Sequence, residues 1–144
     1  MNILIPDTIF DDEHVTEYAA AAPCSLEIHR AVEPGDLSPS DWSWAQAIVA
    51  HHLMPYGTEI ADLAENARIL VRVGVGVDNI DLPVWQAKGI PVCNIPDYGM
   101  GEVADHALVL MLSLLRGLAA YQDRLTVLAD DVYDRLPLPG TMRR

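Results

Sequence analysis

Apolar positions along this chain come in short compact runs, and stretches of helical periodicity separate them. Residues 2–6 form an apolar run ended by proline and predict a first strand. Residues 11–22 open on acids, which suit a helix N-terminus, and continue in good helix formers until Pro23. Residues 24–30 alternate, with Leu26 and Ile28 set against Glu27 and His29, which is the period of a half-buried strand. Turn chemistry at 33–36 leads into a helical turn or two within 38–44, and 47–50 is a third strand followed by His51-His52. Thr58 is expected to cap a helix over 59–66, with Ile60, Leu63 and Ala64 on one face. Residues 68–73 are a fourth strand, 82–88 a short helix ended by Gly89, and 90–95 a fifth strand.

Strands followed by helices or short crossovers require a parallel sheet covered on both faces. The expected fold is therefore α/β: a flavodoxin-like parallel five-stranded sheet with flanking helices, followed by one long crossover helix. Residues 102–126 are expected to form that single helix, apolar all round in its middle (Ala107 to Leu112) and wanting burial on more than one side. Residues 136–144 read as a linker. Ligands in such folds lie beyond the carboxyl ends of the strands, so the polar residues there deserve inspection: Asp7, His51, His52 and the loops after Val73 and Ile95.

Charge narrows the partners. Nine basic against twenty-one acidic residues give a net charge of −12, which repels nucleic acid and anionic membrane surfaces. Cys24 and Cys93 form no CxxC pair and suit a reducing compartment. No signal peptide is visible at the N-terminus, and the longest apolar run is too short for a bilayer span. The expected setting is a soluble, cytoplasmic protein.

The loop after the fourth strand carries the most information. Arg72-Val73-Gly74-Val75-Gly76-Val77-Asp78-Asn79 is a partial match to GxGxxG. Asn79 stands where the third glycine belongs, only a short helix follows, and Asp78 puts an anion where a pyrophosphate would bind. A second possibility is a plain glycine turn at a strand end. A third is an amide nest, in which the backbone N–H groups at Gly74 and Gly76 converge on a small anion beside Arg72. The acids Asp7, Asp11 and Asp12 suggest a receiver pocket, but such a pocket needs an aspartate and a lysine where this chain has His51 and Asn94-Ile95. A His51-His52 metal site lacks a third ligand.

The run RILVRVGVGVDNIDLPVWQAKGIPVCNIPDYGMGEVADHALVLML resembles the central signature of the D-isomer-specific 2-hydroxyacid dehydrogenase superfamily. In look it is closest to the bacterial C-terminal-binding-protein/phosphoglycerate dehydrogenase-like branch. The similarity spans about residues 1–125 and is strongest over 69–115. It implies an NAD-dependent oxidoreductase acting on the CH–OH group of 2-hydroxy acids with NAD or NADP as acceptor. By the same resemblance, residues 1–96 are a substrate-binding lobe, and 97–144 are a hinge, a long helix and the start of a nucleotide-binding lobe.

Carried over residue by residue, Val75 and Gly76 offer backbone N–H groups to the substrate carboxylate, Arg72 sits beside them, and His52 lines the cleft. Val75 would also touch the nicotinamide end of the cofactor, Val103 matches a helix-start position that lies against the cofactor, and Asn94-Ile95-Pro96 resembles the inter-lobe hinge. His106 is expected to pack in a helix interface and not to act as a base. Met100-Gly101 departs from the usual threonine–glutamate or serine–glutamate pair. The family's complete GxGxxG and its catalytic arginine, glutamate and histidine would all fall beyond Arg144. A truncated member, inactive alone, is thus expected. The partners implied are a small 2-hydroxy or 2-keto acid and a second copy, giving a dimer through the 102–126 helix. The competing reading is a non-enzymatic dimerisation or ligand-sensing module, or an inactive remnant.

Overall fold

The computed structural model describes residues 1–127, with side chains to residue 122. The described residues fall into two compact units, Met1–Tyr98 and a second beginning at Gly99. The linker expected at 136–144 lies outside the described residues.

The first unit is built on five strands: β1 (Asn2–Ile5), β2 (Ser25–Ile28), β3 (Ala47–Ala50), β4 (Ile69–Arg72) and β5 (Val92–Cys93). They form one sheet in the order β2-β1-β3-β4-β5, parallel throughout. This is the flavodoxin-like arrangement that the alternation of apolar runs and helices predicts. Helices α1 (Val15–Ala21), α2 (Pro39–Trp44), α3 (Thr58–Leu63) and α4 (Leu82–Ala87) make the crossovers.

The core joins the sheet to α2, α3 and α4 through Leu4, Ile48, Leu70, Trp42, Ile60 and Trp85, all wholly buried. Both tryptophans keep their indole N–H satisfied, Trp42 on the Pro34 carbonyl and Trp85 on the Tyr56 carbonyl.

Local chemistry moves several boundaries. Helix α1 starts at Val15 and not among the acids, because Asp12 accepts the His14 N–H at 3.0 Å and holds His14 at φ 50°. Thr58 is the first residue of α3 and not its cap; Gly57 holds the cap position, with no side-chain bond. Ser38 caps α2 reciprocally with Asp41.

The second unit corrects the sequence reading. One helix was expected over 102–126, whereas the chain forms α5 (Met100–Arg116) and α6 (Leu118–Val127). Gly117 stands between them at φ 64°, its N–H turned back to the carbonyls of Ser113 and Leu114. That left-handed C-cap stops the α-ladder, and glycine adopts it without steric cost. Of the described helices, none is long and apolar enough to cross a membrane.

Candidate functional site

The carboxyl ends of β1, β3, β4 and β5 are adjacent in the sheet, so the residues just beyond them gather at one edge. Beyond β1 lies Asp7, wholly buried. Its Oδ1 accepts the His51 N–H at 2.7 Å and the Tyr56 hydroxyl at 2.6 Å, and its Oδ2 accepts the Leu53 N–H at 3.0 Å. Asp7 therefore clamps the segment after β3 against the end of β1. Burial pushes the Tyr56 phenol far above its ordinary range, and the Asp7 charge and hydrogen bond add to this, so Tyr56 remains a donor.

The segment 51–56 is pinned from its other side as well. Asn79 Nδ2 donates to the carbonyls of His51 and Met54, each at 3.1 Å, and the Asn79 carbonyl accepts the Tyr56 N–H at 2.7 Å. The Asn79 position, which fails the third-glycine test, is thus a brace between two strand-end loops.

His51 is buried, and its ring meets Phe10 edge-on at 5.9 Å between centroids. Burial pushes its pKa below the ordinary histidine value, and Asp7 pulls weakly the other way. His52, the histidine carried over to the cleft, is exposed.

After β4, the Val73 N–H donates to the Ala50 carbonyl at 2.8 Å and continues the ladder with β3. Gly74 then turns the chain at φ 152° and is buried. The Arg72 guanidinium lies directly over it, and Nη1 donates to the Val73 carbonyl at 2.7 Å. A β-carbon at 74 would overlap Arg72 Nη1 where the guanidinium now lies, and φ 152° is a backbone conformation that glycine adopts without strain.

The next residues are tethered to β5. Asn94 Nδ2 donates to the Val75 carbonyl at 2.8 Å, and the Ile95 N–H to the Gly74 carbonyl at 3.0 Å. Val75 and Gly76 are exposed, and among the described residues no acceptor meets either of their N–H groups. The loop therefore presents two free amide donors, held from both ends, beside a half-buried guanidinium.

The same loop does not fit the pyrophosphate of a dinucleotide. Asp78 Oδ1 lies 2.7 Å from the β-carbon position of Gly76, and the helix that follows, α4, has six residues with Asp81 at its cap. Phosphates would meet carboxylates there instead of a helix N-terminus. No three His, Cys, Asp or Glu side chains among the described residues gather at metal-binding distance.

In the second unit, Val103 and His106 both lie exposed on α5 along a shallow groove of about 460 Å³ with Glu102, Ala107 and Leu110. His106 is exposed on α5 in the chain by itself.

Sequence reasoning singled out Arg72, Val75, Gly76 and His52 but missed the braces: Asp7 as a clamp, Tyr56, Asn79 and the Asn94 tether. Asp7 and Asn79 were visible as polar residues at strand ends; the partner of each lies dozens of residues away.

The class follows from a parallel α/β domain whose strand-end loop leaves the Val75 and Gly76 N–H groups unmet beside Arg72. The model of the D-isomer specific 2-hydroxyacid dehydrogenase catalytic domain matches residues 4–135. The chain belongs to this family, a family of oxidoreductases.

Among relatives, it is 39% identical over 116 residues to a D-3-phosphoglycerate dehydrogenase of Archaeoglobus fulgidus, covering 81% of this chain and 21% of that protein. It is also 39% identical over 61 residues to a hydroxypyruvate reductase of Thermotoga maritima, covering 42% and 20%. The D-lactate dehydrogenase of Aquifex aeolicus, complexed with NAD and lactic acid, superposes with a TM-score of 0.78 at 24% identity, covering 96% of this chain and 41% of that one. The glyoxylate/hydroxypyruvate reductase of Sinorhizobium meliloti, in complex with NADP and malonate, gives 0.74 at 25% identity, covering 96% and 42%. The chain thus spans about a fifth of the length of these curated relatives and about two fifths of the solved chains.

Proposed function

We propose that the chain supplies the acid-binding lobe of an oxidoreductase that interconverts 2-hydroxy and 2-keto acids with NAD or NADP. The observation that carries this reading is the pair of unmet N–H groups at Val75 and Gly76 beside Arg72, in a member of this family. Two amides and a guanidinium are the donor set a carboxylate asks for. On this reading residues 1–96 form the lobe that holds the acid, and 97–144 begin with the hinge and helix of the nucleotide side. Arg72 and the two amides orient the carboxylate, and His52 borders the cleft. Val75 touches the nicotinamide end of the cofactor, and Val103, near the start of α5, lies against the cofactor. The GVGVDN loop, with Asp78 beside Gly76, does not suit the cofactor's phosphates. The setting we assign is the cytoplasm.

Titration of the 144-residue chain with pyruvate or glyoxylate, followed by amide chemical shifts, tests the reading. We expect weak binding, roughly millimolar or weaker, with the largest shifts at Val75 and Gly76. Shifts elsewhere with none at these two residues would refute it. The chain alone is expected neither to oxidise D-2-hydroxy acids nor to bind NADH tightly; measurable turnover by the purified chain would overturn that.

One observation favours a second reading, a non-enzymatic dimerising or ligand-sensing module. Helix α5 exposes Val103, Leu108, Leu110, Met111, Leu112, Leu114 and Leu115 around its circumference. A second copy of the chain is the partner we assign to that surface.

A further inference from the structure

The two unmet amides have one feature in common: the carbonyl of each one's own peptide is held by the same short segment after β5. The Gly74 carbonyl, in the peptide that carries the Val75 N–H, accepts the Ile95 N–H at 3.0 Å. The Val75 carbonyl, in the peptide that carries the Gly76 N–H, accepts Asn94 Nδ2 at 2.8 Å. Both peptides are trans and planar, so each N–H points away from its own carbonyl. In an extended strand successive carbonyls alternate in direction. Here both turn toward 94–95, and the two N–H groups therefore face the other way together. Glycines at 74 and 76 give this stretch wide backbone freedom to lose. Val75 is 52% exposed, so side-chain packing does little to restrain it.

We propose that Asn94 is a positioning residue for the acid site: its side-chain amide aims and polarises the Gly76 N–H through the Val75–Gly76 peptide. The Ile95 N–H does the same for the Val75 N–H. The inference rests on the carboxylate-binding reading of Val75 and Gly76. A donor bound to a carbonyl draws charge along the amide, and the N–H of that amide becomes the stronger donor. An N–H already fixed in direction also loses less freedom when it captures a carboxylate. The two tethers differ in kind. Ile95 acts through its main chain, so any residue but proline keeps that bond. The bond to Val75 depends on the Asn94 side chain, which acts on the acid only through Gly76.

Asn94→Leu removes the donor at nearly constant size, and Asn94→Ala removes it with most of the side chain. Position 94 is exposed, so neither variant opens a buried cavity. In the ligand-free native chain, scalar coupling across the hydrogen bond from Asn94 Nδ2 to the Val75 carbonyl carbon should be measurable. In both variants the Gly76 amide proton should move upfield while that of Val75 moves less. Titrated with pyruvate or glyoxylate, the variants should bind about three- to tenfold more weakly than the native chain. The shift at saturation should shrink at Gly76 and persist at Val75. Native affinity with a native Gly76 shift in both variants would overturn the inference and leave the carboxylate reading standing. Equal loss of both amide responses would overturn it as well, since Asn94 would then hold the loop as a whole. Absence of the coupling in the native chain would overturn it without any variant. If neither acid moves either amide of the native chain, the carboxylate reading itself fails, and the inference with it.

Discussion

Two buried groups, Asp7 and His51, hold the site's frame by opposite means. Asp7 is a charge kept in the interior by three donors, two backbone N–H groups and the Tyr56 hydroxyl. Asp7→Ala leaves all three without an acceptor, and unmet buried donors cost about 1–3 kcal/mol each. We expect a loss on the order of 3–5 kcal/mol, read as a lower urea midpoint; a change under about 1 kcal/mol would contradict the clamp.

His51 is held as a neutral imidazole against Phe10, with Asp7, Glu17, His52 and Arg72 as the charges that face it. Its folded pKa lies below the unfolded value of about 6.5. The unfolded chain therefore binds the extra proton in the window below that value. The contribution of His51 to stability is complete above about pH 6.5 and falls as pH drops toward the folded pKa. Thermal melts from pH 7 to 5 should show a steeper fall for the native chain than for His51→Gln. Parallel slopes would contradict this.

At the scale of elements, glycine chemistry decides where helices end. Helix α5 has no periodicity break before Arg116, and the residues after Gly117 are good helix formers, so the apolar pattern reads straight through. A left-handed residue costs roughly 1–2 kcal/mol for anything but glycine, and alanine favours a helix interior by about 1 kcal/mol over glycine. Gly117→Ala should therefore fuse α5 and α6, detected as continuous helical amide contacts through residues 115–119. A retained break would mean that something other than the cap ends α5. Strand ends follow a parallel logic. Only Val92 and Cys93 of the 90–95 run are strand, since Pro91 has no N–H and Asn94 turns its side chain to the loop of β4.

For the molecule as a whole, the two units differ in how they treat apolar surface. The first hides Trp42, Trp85, Tyr56 and Leu4 completely, while in the second Leu114 is 80% exposed and no residue of α5 is buried. Each leucine left in water forgoes roughly 1.5–3 kcal/mol of burial, so several together offset the cost of ordering an interface. We expect the chain to self-associate at tens of micromolar in spite of its −12 charge, and Leu110→Glu or Leu114→Glu to weaken that association. A monomeric mass by sedimentation, with α5 intact, would sink the expectation.

The pattern of short apolar runs was enough to determine the parallel α/β fold, because burial on both faces of a strand and the crossover between parallel strands leave signatures within a few adjacent residues. The spacing of Arg72, Val75 and Gly76 within one loop was equally legible, since the whole motif is local. Tertiary structure alone decided what fixes that loop. Asp7 meets His51 and Tyr56 across more than forty residues, and Asn94 reaches Val75 across nineteen. It also decided which neighbour of the histidine pair is buried: alternate residues beyond a strand end look alike in sequence, and only the position of Asp7 and Phe10 turns His51 inward and leaves His52 in solvent. Hydrogen bonds between distant strand ends depend on sheet order, and sheet order is a property of the folded chain.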